Sequence, residues 1–124
     1  MASELRVNTL KDASGNNSVA MSTVTGGVAK SFFDLDGTGT ISLKDSFNVA
    51  SATDQATGTF DINYTNAFSS ANNAPVSHTI NVTNYDNTIT ASKTASLVQV
   101  LGINTINGTV QDTEPFGATH GDLA

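Results

Sequence analysis

The chain has 124 residues, enough for one domain whose core must be modest, because only 6% of the residues are aromatic and none is tryptophan. Eleven acidic and five basic residues give a formal net charge of -6, which leaves no basic surface for nucleic acid or an anionic membrane. The absence of cysteine excludes disulfides and thiolate chemistry. The opening MASELRVNTLKD lacks the regions of a signal peptide, and no apolar run approaches the roughly 18 residues of a membrane span, so we expect a soluble protein.

The first part of the chain is predicted to be an arm, residues 1–27, followed by a body, residues 28–124. Two adjacent glycines in TGGVAK indicate a hinge between them. Four apolar residues of the arm are spaced to face one another across the turn ASGNN: Leu5, Val7, Val19 and Met21. They have too little neighbouring core to be buried within one chain. We therefore expect them to contact other subunits or a larger particle.

The stretch DLDGTGTISLKD, residues 34–45, is nearly the loop of a calcium-binding EF-hand. Oxygen-bearing side chains fall on five of its ligand places: Asp34, Asp36, Thr38, Ser42 and Asp45. An EF-hand also needs a helix on each side, whereas the preceding TGGVAKSFF has no helical period and the following residues alternate. We therefore predict a turn between strands, with no metal. A calcium site on Asp34, Asp36 and Asp45 is the alternative.

Two alternating stretches, residues 40–49 and 59–65, are predicted to be strands that pair antiparallel across the turn-rich SATDQATG. Their apolar positions form the expected inward set: Ile41, Leu43, Phe47, Val49, Phe60, Ile62 and Tyr64. Charged residues make up only 13% of the chain, and Thr, Asn, Ser and Gly take their place, which favours strands and turns.

The second half continues this pattern. HTINVTNYDNTITA predicts two short strands around a turn at Asp86 and Asn87, with Ile80 and Val82 facing the core. TASLVQVLG predicts a buried strand rather than a helix, and Asn107 with Gly108 predicts a hairpin turn. The fold class expected is an all-β antiparallel β-sandwich with an N-terminal arm.

The run FFDLDGTGTISLKDSFNVASATDQATGTFDINYTNAF carries a more specific pattern: an aromatic pair, a DGTGT turn, an alternating strand ending in DSFNVAS, and an aromatic-rich strand closing in NYT. It resembles a recurring domain of tail-fibre-like virion proteins from bacteriophages, particularly of marine and cyanobacterial hosts. The match spans residues 5–68 and includes the arm. The departures, at Ala50, Ala52 and residues 55–57, lie in and next to the predicted turn.

The resemblance implies a structural virion protein, made in the bacterial cytoplasm, that assembles as a homotrimer with its arm near the particle. The small core agrees, because three chains around an axis would supply further burial and cover strand edges. A capsid decoration protein of similar fold is the alternative. A calcium- or glycan-binding β-module is the third hypothesis, for which Phe116 and Tyr85 are the candidate aromatic platforms.

Enzyme chemistry has little support in the sequence. His78 and His120 are the two histidines, and neither has a nucleophile or second metal ligand at a recognisable spacing. We expect no catalytic residues and no cofactor. The expected partners are other copies of the chain, other tail or capsid proteins, and a host surface glycan in a host-attachment role.

Overall fold

The computed structural model describes residue 3, residues 6–79 and residues 86–124, and the regular structure in these ranges is almost entirely β-strand. In chain order the elements are β1 (Thr9–Lys11), β2 (Ser18–Ala20), α1 (Met21–Gly27), β3 (Ser31–Asp36), β4 (Ser42–Phe47), β5 (Val49–Ala56), β6 (Thr59–Tyr64), β7 (Ala74–Thr79), β8 (Asp86–Lys93), β9 (Leu97–Asn104) and β10 (Pro115–His120).

Eight of these strands form two four-stranded antiparallel sheets. The first sheet has the order β4-β3-β10-β7, and the second sheet has the order β5-β6-β9-β8. One apolar core takes side chains from both, so the sheets pack face to face as in a β-sandwich. The predicted all-β, antiparallel fold class is confirmed.

The core follows from period-two alternation in the central strands. Residues of β6 and of β9 alternate strictly between half-buried and buried positions, because one side of each strand faces the opposite sheet. The buried apolar side chains are Phe33, Leu35, Phe60, Ile62, Tyr64, Phe68, Val98 and Val100. The Tyr64 hydroxyl and the Thr119 hydroxyl, 2.9 Å apart, join the two sheets, and burial raises the pKa of Tyr64.

The predicted single strand over residues 40–49 is wrong, because the chain changes sheet within it. β4 ends at Phe47, and Asn48 adopts a positive φ of 55° before β5 begins in the second sheet. The Asn48 side chain fixes this corner by accepting a hydrogen bond from the backbone N–H of Asn66, at 2.8 Å, and donating one to the Asn66 carbonyl, at 3.1 Å. The strand that pairs with β6 is consequently β5, which occupies most of the predicted turn SATDQATG.

The predicted inward position of Phe47 is also wrong, and a β-bulge explains it. The pairing of β3 with β4 shifts after Asp34 opposite Asp45, so that the next pair is Leu35 with Leu43 and Lys44 is the extra residue. An extra residue reverses which side of the strand the following side chains occupy. Leu43 therefore packs against the core, while Phe47 lies on the outer side of the sheet.

In the second half, the strand predicted for TASLVQVLG is confirmed as β9, and the turn at Asn107 and Gly108 is confirmed by the positive φ of Gly108, 72°. The turn predicted at Asp86 and Asn87 is wrong, because these residues begin β8 in the second sheet while β7 belongs to the first. Three predicted residues, Ile80, Val82 and Tyr85, lie outside the described residues.

The start of the chain forms a unit that we call the hairpin–helix segment, residues 6–27. β1 and β2 pair with Leu10 opposite Val19, and α1 follows at once, so Gly26 and Gly27 lie in a helix rather than in the predicted hinge. Val7 is exposed, Val19 and Met21 are half-buried, and Leu5 lies outside the described residues. No helix in the described part of the chain has the length and apolarity to cross a bilayer.

Candidate functional site: the outer face of the first sheet

The side of the first sheet that points away from the core carries an unusual set of side chains, which we call the outer face. Strand pairing arranges them in two adjacent rows of four. The first row runs Phe47, Phe32, Ala118, Val76, and the second runs Asp45, Asp34, Phe116, His78. The first row contains no polar side chain.

The first row is an exposed apolar surface. Phe47 is 55% exposed, Phe32 is 40% exposed and Val76 is 56% exposed, although each lies in a regular strand. The rings of Phe32 and Phe47 stack with centroids 6.1 Å apart and planes inclined by 23°. The face also holds a shallow depression of about 520 Å³. Contiguous apolar surface of this kind usually marks a place where another molecule binds.

The second row combines charge with an aromatic ring. Asp34 and Asp45 lie directly opposite each other on neighbouring strands, an arrangement that destabilises an isolated sheet because the carboxylates repel. Phe116 lies next along the row and contacts His78, with ring centroids 6.1 Å apart. One end of the outer face is therefore acidic, while its centre is apolar.

A single lysine lies near this acidic end. Lys44 donates to a carboxylate oxygen of Glu114 at 2.5 Å, and this hydrogen bond is the main reason that the pKa of Lys44 is raised, with smaller contributions from Asp34 and Asp36. Because Lys44 is already paired with Glu114, its charge offsets the aspartates only in part.

The EF-hand-like residues do not come together as a loop. Asp34 and Asp36 lie in β3, Ser42 and Asp45 lie in β4, and residues 37–41 join the two strands, which confirms the predicted turn. Asp36 accepts hydrogen bonds from the Thr38 hydroxyl and the Thr38 backbone N–H, and these lower its pKa. Within the described ranges, no group of three or more His, Asp or Glu side chains is placed to hold a metal ion.

Gly37, the first residue of this turn, lies where a side chain would not fit. A Cβ at this position would lie 2.5 Å from the ring of Phe60 and 2.5 Å from the carbonyl oxygen of Thr113. The turn is therefore pressed against the core by close backbone contact, as expected of a structural element.

The hairpin–helix segment is a second exposed surface, which shares a cavity with the body at Gly26. None of its residues is buried, and Leu10 is 44% exposed on β1. Of its predicted anchoring residues, Val7 does not lie opposite Val19, because Leu10 occupies that position, and Met21 begins α1.

Sequence reasoning placed Phe47 inward and did not assign Phe32 to a surface. Phe32 and Phe33 are adjacent, and neighbouring residues of a strand point to opposite sides, so one of them had to face outward. The two histidines also separate: His78 lies on the outer face, and His120 ends β10 opposite Ala74.

Comparison of the chain with protein-family models, with curated proteins and with solved structures finds no match.

Proposed function

We propose that this chain is a non-enzymatic structural subunit of a bacteriophage virion, a short tail fibre or fibre-like appendage that assembles as a homotrimer. The observation that carries the proposal is the outer face, because its aromatic side chains gain burial only when another molecule covers them. The pattern that resembles tail-fibre-like proteins supports it, since that run folds into β3 to β6 and contributes to both sheets.

Trimer assembly would meet two physical needs of the molecule. The core cluster contains eight buried residues in the part of the chain that the structure describes, which is a small core, so the free energy of folding gains from burial between chains. The first sheet also ends in edge strands β4 and β7, whose unpaired backbone groups invite uncontrolled pairing unless neighbouring chains cover them. In this proposal the hairpin–helix segment is the arm that attaches the subunit, and the sandwich projects from the particle.

The location of the chain tests the proposal. Particles of the phage that encodes it are purified, analysed by mass spectrometry and labelled with an antibody to the chain. Label on the tail supports a fibre subunit, whereas label spread over the capsid supports the decoration protein that is the alternative. Absence of the chain from purified particles contradicts both assignments.

Truncation tests the attachment role of the arm. A chain lacking residues 1–27 retains both four-stranded sheets, so we expect it to fold. It is expected to be lost from particles when it replaces the full chain. Incorporation of the truncated chain at normal copy number would show that the arm is not the anchor.

A glycan-binding role is a second candidate, and the exposed rings favour it more than the sequence did. Phe32, Phe47 and Phe116 present apolar faces to solvent, and Asp34 and Asp45 could accept hydrogen bonds from sugar hydroxyls beside them. Tyr85, the other platform suggested by the sequence, lies outside the described residues. Binding of a host surface oligosaccharide by the full chain, weakened by Phe47→Thr, would support this role.

A further inference from the structure

We infer that the outer face of the first sheet binds the hairpin–helix segment of a second copy of this chain. The inference depends on the self-association in the proposed function and names the two surfaces that make it. Three observations support the inference. The segment is too small to be stable alone, the outer face of its own chain is poorly placed to receive it, and the charges of the two surfaces are compatible.

The hairpin–helix segment is too small to be stable without packing. Its two strands have three residues each, and α1 has seven residues and no side-chain hydrogen bond at its N-cap. Isolated two-stranded hairpins and helices of this length are marginal in water. The segment nevertheless keeps apolar side chains exposed, which indicates that its stabilising contacts lie on another surface.

The outer face of the same chain is badly placed to receive the segment. Only three residues, 28–30, separate α1 from β3, and a link of this length spans about 10 Å at most. Val28 is extended, with φ -81° and ψ 132°, and the N–H of Lys30 donates to the carbonyl of Thr119 at 2.8 Å. The link thus prolongs β3, and folding the segment back over its own sheet would require the chain to reverse between α1 and Lys30.

The distribution of charge disfavours contact between two outer faces. Residues 28–124 contain nine acidic and three basic residues and so carry the whole net charge of -6, whereas residues 1–27 contain two of each. Face-to-face packing would bury the Asp34 and Asp45 carboxylates of both copies with no cation supplied by either face, which costs free energy when water is excluded.

The hairpin–helix segment is a more compatible partner for the outer face than a second outer face is. It offers Leu10, paired across the hairpin with Val19, to the apolar row, and its residues 6–27 contain two basic residues, Arg6 and Lys11, and one acidic residue. The one acidic group of the described segment, Asp12, already accepts hydrogen bonds from Ser14 and Asn17 within its own turn. The segment therefore brings apolar surface and a small net positive charge to a face that is apolar and acidic.

Crosslinking between full-length chains tests this contact. The chain has no cysteine, so each introduced thiol is unique. The variants are Leu10→Cys in the segment, Val76→Cys on the outer face, and Ile89→Cys on the second sheet as the matched control. The three positions are 44%, 56% and 43% exposed, so the substitutions should leave folding intact. Pairs of variants are mixed at micromolar concentration and treated with a short bismaleimide.

We expect the Leu10→Cys and Val76→Cys pair to crosslink roughly a hundredfold faster than the Leu10→Cys and Ile89→Cys pair, because docking raises the effective thiol concentration toward millimolar. Three results would overturn the inference: equal rates for the two pairs, preferential crosslinking of Val76→Cys with itself, or crosslinking within one diluted chain that carries both Leu10→Cys and Val76→Cys.

Sedimentation of the unmodified chain separates this inference from the proposed function. A trimer whose outer face does not crosslink to the segment would overturn the inference and leave self-association standing. A monomer at every concentration would remove both, and oligosaccharide binding by that monomer would assign the outer face to a glycan instead.

Discussion

Replacement of Phe47 by threonine is expected to weaken association between chains while leaving the fold of each chain intact. Phe47 is 55% exposed in the single chain. Full burial of a phenylalanine side chain contributes about 1.5–3 kcal/mol, so covering the exposed half contributes about 1–1.5 kcal/mol per site. The dissociation constant for association should then rise about tenfold.

The same substitution has a smaller effect within the chain. It removes the stacking of Phe47 on Phe32, which is worth about 0.5–1.5 kcal/mol, but threonine suits a strand well and offsets part of that loss. Association is measured by the concentration dependence of fluorescence anisotropy, and folding by urea denaturation at fixed low concentration.

Phe60→Ala is the matched control for this experiment. Phe60 is fully buried between the sheets, so its removal should lower the free energy of unfolding by about 3–5 kcal/mol. If Phe47→Thr destabilised the single chain as strongly as Phe60→Ala, or left association unchanged, the argument that Phe47 belongs to a binding face would be wrong.

Three further predictions concern the sandwich itself. Tyr64→Phe leaves the buried hydroxyl of Thr119 without its partner and should lower the free energy of unfolding by about 1–2 kcal/mol in urea denaturation, with much of the loss recovered by Thr119→Val in the same chain. Gly37→Ala places a Cβ 2.5 Å from an aromatic ring and a carbonyl oxygen, and should cost about 1–3 kcal/mol by the same assay; an unchanged midpoint would contradict the close contact. The pKa of Asp36 lies below its ordinary value of 3.8 because Thr38 donates to it, so its stabilising effect is present above that value and is lost as the pH falls through the lower pKa of the folded state. Thr38→Val should raise the pKa of Asp36 in an NMR titration, and an unmoved pKa would contradict the assigned cause.

The apolar content of TASLVQVLG predicted β9 as a buried strand. Period two in the sequence predicted the buried side of β6, because its apolar residues alternate without interruption. It failed at β4, where one extra residue, Lys44, reverses the side on which Phe47 lies. A bulge leaves no mark on the residue pattern, since it depends on how the partner strand pairs.

The sequence also failed to predict β5. This strand lies at the edge of the second sheet and is mostly exposed, so its composition is polar and resembles that of a turn. The helix α1 was missed for a related reason, because it carries two glycines and has no buried residue to produce a helical period.

The candidate site was only partly predictable. The sequence identified Asp34 and Asp45 together, as positions of one loop, whereas the structure places them opposite each other on two strands. It identified Phe116 as a candidate platform but not the row of Phe32 and Phe47. The pair of Phe32 and Phe47 depends on the bulge in β4, and the rest of the row depends on strand order, which brings β10 beside β3 and is not encoded in any local pattern.

The central claim is that copies of this chain associate and thereby cover the outer face. Sedimentation equilibrium of the full chain at micromolar concentration tests it most directly. The account predicts a mass near three times 12.8 kDa and thermal unfolding whose midpoint rises with protein concentration. A single species of 12.8 kDa, with a midpoint independent of concentration, would contradict it.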